Sequence, residues 1–368
     1  MSSQSQATSV RTRSKARRVF PHENGTLFPE LSENPWTILR GRKKPKSPVC
    51  NISTVEMCAG AGGQALGLEM AGVGHSCLIE IDPHACQTLR LNRPQWNVIE
   101  QDLNHFDASK FKGVEIVSGG LPCPPFSIAG KQLGANDERN LFPTMIRLVD
   151  EVRPQAVMIE NVRGILDGVF EEYRLYIAGQ LKKLGYQTGW KLMNASDFGV
   201  PQLRPRVVFV ALRSQFSEHF AWPEPTEHPP LSVGDVLHDL MASNGWKGEQ
   251  AWRKQSDEIA PTIVGGSHKH GGPDLGPTRS RAAWAQLGIN GIGIADEAPA
   301  RDFVGMPKLT VRMAARIQGF PDEWQFFGKK TAAYRQVGNA FPPPFAKAVA
   351  ECIKSSMISR LVTAKETA

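Results

Sequence analysis

The sequence predicts an α/β fold in which helices cover both faces of a parallel sheet, followed by a smaller and less regular domain. Three observations carry this prediction. Apolar runs of strand length alternate with segments of helical spacing from about residue 52 to residue 212, a glycine-rich turn follows the first run, and the periodicity weakens after residue 213. Strands that alternate with helices are typical of a parallel sheet, whose ligands bind at the carboxyl ends of the strands.

The elements of the sheet domain follow one another along the chain. Short apolar runs predict strands at residues 52–57, 76–81, 97–100, 114–117, 156–159 and 207–212. Apolar residues spaced three and four apart predict helices through residues 66–71, 83–91, 141–152 and 173–184. A helical pattern returns near Leu309, and a last helix is expected after Pro344.

The chain is therefore expected to divide into four parts. These are a basic N-terminal arm (1–50), the sheet domain (51–213), an irregular domain rich in Pro, Gly, His and Trp (214–305), and a return segment that completes the sheet domain (306–368).

The net charge of +7 is concentrated in the N-terminal arm, which carries ten Lys or Arg against three Glu. Because Ser, Gln and Thr surround its first basic cluster, the arm is expected to be disordered. It could attract phosphates without regard to sequence, or it could be a solvated tail with no specific task.

The six cysteines form no Cys-x-x-Cys pair and no Cys/His zinc spacing. This usage predicts a reducing, cytoplasmic compartment and no metal site. No apolar stretch approaches the roughly 20 residues that a membrane-spanning helix needs, which argues against a membrane protein.

A glycine-rich turn at residues 60–65 (GAGGQA) follows the first predicted strand and opens a helix. Glycines allow a ligand close to such a turn, and a helix N-terminus favours its polar groups. Glu80 ends the next strand, where a carboxylate can accept a hydrogen bond from a ribose hydroxyl. Asp102 follows a third strand and could receive an adenine amino group. These residues indicate a nucleoside cofactor, either NAD or S-adenosylmethionine, unless the turn binds nothing.

Reactive side chains stand where later strands end. Cys123 follows two glycines and lies among three prolines, which present the thiol on stiff backbone as a candidate nucleophile, although a lone cysteine is more often buried and structural. Glu160 follows the strand at 156–159, where it could act on a ligand or cap a helix. Arg204 and Arg206 share one side of a strand and suit an anion or a polarised carbonyl, although such pairs are more often surface charge.

Together these groups define a class of reaction. A cysteine adds to an electron-poor ring, a carboxylate handles a proton at a ring nitrogen, an arginine polarises a carbonyl, and the cofactor supplies an electrophilic methyl group. The combination predicts methylation of a pyrimidine at C5.

From about residue 52 to residue 352 the sequence resembles the DNA (cytosine-5) methyltransferase family of the bacterial restriction–modification type. The motifs that carry the resemblance lie in the family's order at 56–63 (EMCAGAGG), 80–82 (EID), 122–123 (PC), 160–162 (ENV), 202–206 (QLRPR), 316–322 (RIQGFPD) and 336–340 (QVGNA). The sequence departs from the family's pattern at Cys58, where Phe is usual, at Ile81, where some members have Trp, and at Pro124 and Ala129. None of these departures removes a catalytic group.

The resemblance implies a Rossmann-like methyltransferase sheet that uses S-adenosylmethionine, releases S-adenosylhomocysteine and needs no metal. Residues 51–213 would then be the catalytic and cofactor-binding domain, and residues 214–305 the target-recognition domain. The resemblance places the following residues at the cofactor: Cys58, Gly60, Gly62, Glu80, Ile81, Asp102, Leu103, Pro122, Leu141, Asn339 and Ala340.

The mechanism implied by the resemblance begins with a cytosine that is flipped out of double-stranded DNA. The Cys123 thiolate adds to C6, Glu160 bonds N3, and Arg206, helped by Arg204, contacts O2 and the thiol. C5 then accepts the methyl group, and loss of the C5 proton with elimination of Cys123 releases 5-methylcytosine.

Residues 128–140 are expected to form a mobile loop that closes over the DNA. Candidate DNA contacts are Ser127, Lys131, Arg139, Arg253, Lys254, His268, Lys269 and Arg279, with His270 and Arg281 as further candidates. The block at 263–278 resembles that of bacterial members with GC-rich targets, of which GCCGGC is one example.

Three other interpretations stay open at this point. A tRNA-directed cytosine-5 methyltransferase would share the catalytic motifs, although its recognition segment is expected to be shorter. A catalytically silent DNA-binding regulator would not need Cys123, Glu160 and Arg206, and an NAD oxidoreductase would explain only the glycine-rich turn and Glu80. The favoured interpretation is a monomeric, nucleoid-associated enzyme that protects host DNA, with a cognate endonuclease as a possible partner.

Overall fold

The computed structural model describes residues 52–122, 140–265 and 273–366, with side chains up to residue 359. The N-terminal arm lies outside the described residues, as do Cys123, Ser127 and residues 128–139 of the loop predicted to close over DNA, which include Lys131 and Arg139. His268, Lys269 and His270 also lie outside them.

Seven strands form one sheet in the order β3-β2-β1-β4-β5-β7-β6. The strands are β1 (Ser53–Met57), β2 (Gly74–Glu80), β3 (Val98–Glu100), β4 (Ile116–Gly120), β5 (Ala156–Asn161), β6 (Tyr186–Asn194) and β7 (Pro205–Arg213). The predicted α/β fold of the Rossmann-like methyltransferase type is confirmed, but the expectation of a wholly parallel sheet is wrong. β7 pairs antiparallel with both β5 and β6, because the chain returns from β6 through a short connection rather than a crossover helix.

The sequence analysis missed β6. Most of its residues are only partly buried, because it lies at the edge of the sheet and pairs only with β7. Its sequence, YQTGWKLMN, therefore lacks the continuous apolar run by which the buried strands were found.

Eleven α-helices occur in the described residues, besides short 3-10 helices. They are α1 (Gly63–Met70), α2 (Pro83–Asn92), α3 (Phe142–Val152), α4 (Glu171–Lys183), α5 (Ser214–Ser217), α6 (Val233–Ala242), α7 (Glu249–Gln255), α8 (Thr278–Gln286), α9 (Val311–Ile317), α10 (Lys330–Asn339) and α11 (Pro343–Glu366). None of the helices in the described ranges is long and apolar enough to cross a membrane.

Two separate apolar cores cover the two faces of the sheet. On β5, Val157 and Ile159 pack in the core that contains the apolar faces of α3 and α4, whereas Ala156 and Met158 pack in the core that contains α11. This division follows from the alternation of side chains along a strand. It leaves the end of β5 as the place where polar side chains can meet a ligand.

The segment between β7 and α9 is less irregular than the sequence predicts. It contains α6, α7 and α8, which pack around Trp246, Trp252 and Trp284. These helices escaped prediction because they span only ten, seven and nine residues, which is too short for a sustained helical spacing to stand out. Their apolar cluster is continuous with α1 and α2 through Phe320 and Trp324, so this segment is anchored to the helices beside the glycine-rich turn.

Helix α11 packs closely against α1 at Gly67. A Cβ atom on Gly67 would lie 2.5 Å from both the Cβ of Ala346 and the carbonyl oxygen of Pro343. Gly67→Ala should therefore lower the free energy of unfolding by about 1–3 kcal/mol. Gly179→Ala on α4 is the matched control, because nothing lies within 4 Å of its added Cβ, and it should raise stability by about 0.5–1 kcal/mol. Urea unfolding measures both values, and equal effects of the two substitutions would contradict the close packing.

Candidate active site

Glu160 and Arg206 form a buried ion pair at the carboxyl end of β5. Glu160 pairs with Val208 in the antiparallel ladder, and Arg206 lies two residues before Val208, so the two side chains are diagonal neighbours on one face of the sheet. The Arg206 Nε atom lies 2.7 Å from Oε1 of Glu160. Glu160 is only 6 % exposed, which leaves the pair weakly screened by solvent.

The buried position of Glu160 changes its protonation. Burial raises the pKa of Glu160 above its ordinary value, while the positive charges of Arg206 and Arg204 act in the opposite direction. Because burial disfavours the charged form, this carboxyl group takes up a proton more readily than an exposed glutamate. It is therefore suited to share a proton with a ring nitrogen placed beside it.

The carboxyl end of the neighbouring strand β4 leads into the segment that carries the candidate nucleophile. Gly120 pairs with Glu160 in the parallel ladder, and the chain then continues through Leu121 to Pro122. Asn161 donates a hydrogen bond of 3.5 Å from Nδ2 to the carbonyl oxygen of Leu121, and its Oδ1 accepts one from the Val162 amide. The end of β5 thus holds the chain two residues before Cys123, a role for Asn161 that the sequence analysis did not assign.

Arg204 differs from Arg206 in its surroundings. It is fully buried, and its guanidinium donates hydrogen bonds to the carbonyl oxygens of Ile263 (2.7 Å), Gly338 (2.8 Å) and Ala340 (3.0 Å). The Arg204 guanidinium is therefore hydrogen-bonded to backbone carbonyl groups, whereas the sequence predicts that it helps Arg206 at a substrate.

The glycine-rich turn adopts the backbone conformation for which glycine is suited. Gly60 has φ of 54° and Gly62 has φ of 85°, values that L-residues rarely adopt. A Cβ on Gly60 would meet nothing within 4 Å, so the turn is open on the side where a ligand could approach. The Trp324 indole donates a hydrogen bond of 3.1 Å to the carbonyl oxygen of Ala61, which fixes the turn from the return segment.

Glu80 is pre-arranged by the backbone around it. Its Oε2 accepts a hydrogen bond of 2.7 Å from the Gly60 amide, and its Oε1 accepts bonds of 2.8 Å from the amides of Ile81 and Asp82. Burial raises the pKa of Glu80 despite these three donors. Each carboxylate oxygen has two acceptor sites, so Oε2 can still accept a ribose hydroxyl.

The other predicted cofactor residues are found in varied surroundings. Ile81 is 64 % exposed, while Leu103 is buried, and Asp102 begins a short 3-10 helix and accepts a hydrogen bond from the Asn104 amide. Cys58 has φ of 49°, and burial, followed by the charges of Glu80 and Asp102, raises the pKa of its thiol. The Cys58 thiol is therefore harder to ionise than a free cysteine.

The last four predicted cofactor residues lie at the ends of elements. Pro122 follows β4 and Leu141 precedes α3, and both are partly buried. Asn339, the exposed last residue of α10, is followed by the buried Ala340.

These surroundings fit a nucleoside cofactor. The open glycine-rich turn, the fixed Glu80 carboxylate and the exposed apolar Ile81 side chain offer, respectively, close backbone, a hydroxyl acceptor and an apolar surface. Among the residues that the structure describes, no group of three or more His, Cys, Asp or Glu side chains could hold a metal ion.

A buried acid–histidine pair lies beneath the turn. Glu56 and His75 are fully or nearly buried, with 3.9 Å between His75 Nδ1 and Glu56 Oε2. Burial raises the pKa of Glu56 well above its ordinary value and lowers the pKa of His75 to about 4.

The Glu56 shift predicts a specific pH dependence of stability. A carboxyl group whose pKa is raised in the folded state binds more protons there than in the unfolded state, so the free energy of unfolding falls as the pH rises from the unfolded pKa to the folded one. Glu56→Gln should therefore be more stable than the wild-type protein at pH 8, and the difference should shrink toward pH 4.5. Urea unfolding of both proteins across this range measures the difference, and parallel curves would contradict the prediction.

The described candidates for DNA contact differ in their immediate surroundings. Arg253 is paired with Asp235 at 2.8 Å, Lys254 and Arg279 are exposed, and Arg281 lies 3.6 Å from Asp274. Arg279 thus keeps its charge toward solvent, while Arg253 and Arg281 each have an acidic neighbour.

Comparison with known proteins identifies the class. The family model for C-5 cytosine-specific DNA methylases matches residues 52–355. The chain is 55 % identical over 301 residues to the Type II methyltransferase M.NgoMIV of Neisseria gonorrhoeae, an alignment that covers 81 % of this chain and 96 % of the relative. It is 52 % identical over 313 residues to the Type II methyltransferase M.NaeI of Lentzea aerocolonigenes, covering 83 % and 76 % of the two chains.

Solved structures support the fold. The chain resembles the Entamoeba histolytica methyltransferase EhMeth with a TM-score of 0.60 at 15 % identity, over 83 % of this chain and 99 % of the other. It resembles the S. pombe Dnmt2 methyltransferase with a TM-score of 0.51 at 19 % identity, over 85 % and 98 %. The chain belongs to the C-5 cytosine-specific DNA methylase family, and it is a DNA cytosine-5 methyltransferase.

Proposed function

We propose that the protein methylates one cytosine within a specific sequence of double-stranded DNA, with S-adenosylmethionine as the methyl donor. The observation that carries the proposal is the buried Glu160–Arg206 pair, with 2.7 Å between Nε and Oε1. It lies at the end of β5, beside the strand that leads directly to Cys123. A carboxyl group and a guanidinium thereby lie at the end of the sheet from which the chain continues to Cys123.

Each side chain has a defined task at the base. The Cys123 thiolate adds to C6 of the flipped cytosine, and the electron density that this addition creates is stabilised by Glu160 through a proton at N3. Arg206 donates to O2 and keeps Glu160 oriented. Once C5 has accepted the methyl group, loss of the C5 proton and elimination of the thiolate restore the aromatic ring. Proton transfer by a positioned group of this kind contributes roughly 10²–10⁴-fold to a rate.

The cofactor would be held by the glycine-rich turn, Glu80, Ile81 and Asp102. Bound S-adenosylmethionine would supply the electrophilic methyl group to C5. Glu80 is oriented by three backbone amides before any ligand arrives, so little reorganisation is needed to accept the ribose hydroxyls.

We further propose that the enzyme acts as a monomer and protects host DNA from a cognate restriction endonuclease. The two close relatives are named Type II methyltransferases, which supports the protective role. A GC-rich target such as GCCGGC is the first sequence to test.

The test is bisulfite sequencing of DNA from cells that express the chain. Protected cytosines should all lie within one short sequence, and DNA from cells expressing Cys123→Ser at the same soluble level should show none. Absence of 5-methylcytosine with soluble wild-type protein would overturn the proposal. Methylation of purified tRNA but not of duplex DNA would favour a tRNA substrate instead.

A further inference from the structure

A fully buried polar network joins three segments that are distant in sequence. Gln202 Nε2 donates a hydrogen bond of 2.7 Å to Oε1 of Gln318, and Gln318 Nε2 donates one of 2.6 Å to the carbonyl oxygen of Ala340. Oε1 of Gln202 accepts a bond of 2.8 Å from the Ile263 amide. The side chains of both glutamines and of Arg204 are completely buried.

Arg204 completes this network from the same segment as Gln202. It donates to the carbonyl oxygen of Ile263, whose amide is already bound by Gln202, and also to the carbonyl oxygens of Gly338 and Ala340. Ile263 is therefore held at both of its backbone polar groups by two side chains that lie two residues apart. We call Gln202, Arg204 and Gln318 the latch.

Backbone bonds extend the contact along the same two segments. The Leu203 amide donates to the carbonyl oxygen of Ala260 at 2.7 Å, the Ala260 amide donates to Pro201 at 2.9 Å, and the Thr262 hydroxyl donates to the carbonyl oxygen of Leu203 at 2.5 Å. Residues 260–263 thus run parallel to residues 201–204 and are fixed in one register.

The latch lies between the proposed catalytic pair and the predicted recognition residues. In one direction the chain continues from Arg204 to Arg206, which pairs with Glu160. In the other direction it continues from Ile263 through Gly265 toward His268. Gly265 lies close to Gly338, since a Cβ atom added to Gly338 would lie 2.4 Å from the Gly265 Cα. Along the sequence, Arg204 is therefore close to Arg206, and its partner Ile263 is close to His268.

Buried polar groups are costly to leave without partners, and a satisfied network inside a protein specifies one arrangement of the segments that it joins. We propose that the latch sets the position of the recognition segment relative to the Glu160–Arg206 pair, so that only the cognate sequence places its cytosine at that pair. On this proposal, which rests on the proposed function, Arg204 is a positioning residue, and its effect on the reaction is exerted through Ile263.

The proposal predicts a loss of discrimination rather than a uniform loss of rate. The decisive variant is Gln318→Leu, which keeps the volume of the side chain but removes its bonds to Gln202 and Ala340. The measurement is kcat/KM for methyl transfer to a cognate duplex and to duplexes with one base pair of the site changed. We expect the ratio of cognate to altered sites to fall at least fivefold, and Arg204→Lys, which keeps a positive donor, to lose less of the ratio than Arg204→Leu.

Gln336→Leu is the matched control. Gln336 is also buried and hydrogen-bonded, to Thr88 and Phe327, but it lies outside the latch, so its variant should keep the ratio of the wild-type protein. Thermal unfolding and binding of S-adenosylhomocysteine show whether each variant is folded. If Gln318→Leu is not folded, Gln318→Glu replaces it, because a glutamate can still accept the bond from Gln202.

Two outcomes would overturn the inference while leaving the proposed function intact. The first is an equal fall of kcat/KM on all duplexes in the folded Gln318 variant. The second is an unchanged ratio in both the Gln318 and the Arg204 variants. A wild-type protein that methylates no duplex would instead contradict the proposed function itself.

Discussion

Replacing Glu160 with Gln should lower the single-turnover rate of methyl transfer by about 10²–10⁴-fold. Glutamine keeps the shape of the side chain, but it cannot give up or take a proton at N3 as the ring gains electron density. Burial already raises the pKa of Glu160, so the wild-type carboxyl group is poised for this proton in a way that an amide is not. Single-turnover assays at saturating DNA and cofactor measure the chemical step separately from binding.

Arg206→Ala tests the same pair from the other side. Removing this guanidinium takes away the positive charge that most strongly opposes the effect of burial on Glu160, so the pKa of Glu160 should rise further. The fall in activity with rising pH that reflects deprotonation of Glu160 should move to higher pH. Because the two residues act as a unit, the fold loss in single-turnover rate of the double variant Glu160→Gln/Arg206→Ala should be smaller than the product of the two single fold losses.

Glu69→Gln is the control for these variants. Glu69 also pairs with an arginine, Arg93, at 2.8 Å, but it is partly exposed on α1 and outside the proposed active site. The single-turnover rate of the Glu69→Gln variant should stay within about twofold of the wild-type rate, as expected for a surface ion pair. A Glu160→Gln rate within tenfold of wild type, or strictly multiplicative losses, would contradict the proposed role of the pair.

The fold could be predicted from the sequence where strands are buried on both faces. β5 is found from its apolar run because Val157 and Ile159 face one core and Ala156 and Met158 the other. β6 could not be found in this way, because an edge strand needs no continuous apolar run. The direction of β7 was also hidden, since a buried antiparallel strand has the same composition as a parallel one.

The candidate site shows a similar division. Glu160 and Arg206 were identified from their motifs, and their separation of 2.7 Å adds the geometry that the motifs could not supply. The surroundings of Arg204 could not be read from the sequence, because its partners are backbone carbonyl groups about 60 and 135 residues away. Backbone partners leave no pattern in the sequence. The motif therefore does not reveal that Arg206 lies at the Glu160 carboxylate whereas Arg204 lies in the latch.

Gln318 belongs to the motif at 316–322, but the sequence analysis assigns it no role. The available signal is its position between the apolar residues Ile317 and Phe320, where a buried amide must find partners. A polar residue within an apolar pattern indicates burial with partners, although it does not indicate which segment supplies them.

The second large effect is expected on stability, at Arg316. This side chain is 4 % exposed, and it joins α9 to α6 and to the turn that follows α9. It donates to Asp239 at 2.5 Å, to the carbonyl oxygen of Val236 at 3.0 Å, and through Nε to Asp322 at 3.0 Å. A second bond, from Nη2 to the other carboxylate oxygen of Asp322, makes that contact bidentate.

Arg316→Met should lower the free energy of unfolding by about 2–3 kcal/mol, because it removes the cation from two acidic partners and leaves the Val236 carbonyl without this donor. The expected loss lies below the 3–5 kcal/mol or so that is typical of a broken buried pair, since both carboxylates can reach water once the arginine is gone. Methionine fills most of the same space, so the loss would report charge and hydrogen bonding rather than a cavity.

Arg253→Met provides a comparison, because Arg253 on α7 also pairs with an aspartate of α6. Arg253 pairs with Asp235 on α6 at 2.8 Å, but both side chains are exposed, so its loss should cost less than about 1 kcal/mol. Urea unfolding at low and high salt separates the two cases, because salt screens the exposed pair more strongly than the buried one. Similar losses for both variants, or a loss at Arg316 that disappears in high salt, would show that burial does not govern the strength of this contact. A large loss at Arg316 alone would instead identify it as the side chain that anchors α6, and with it the segment predicted to read DNA, to the return segment beside the cofactor turn.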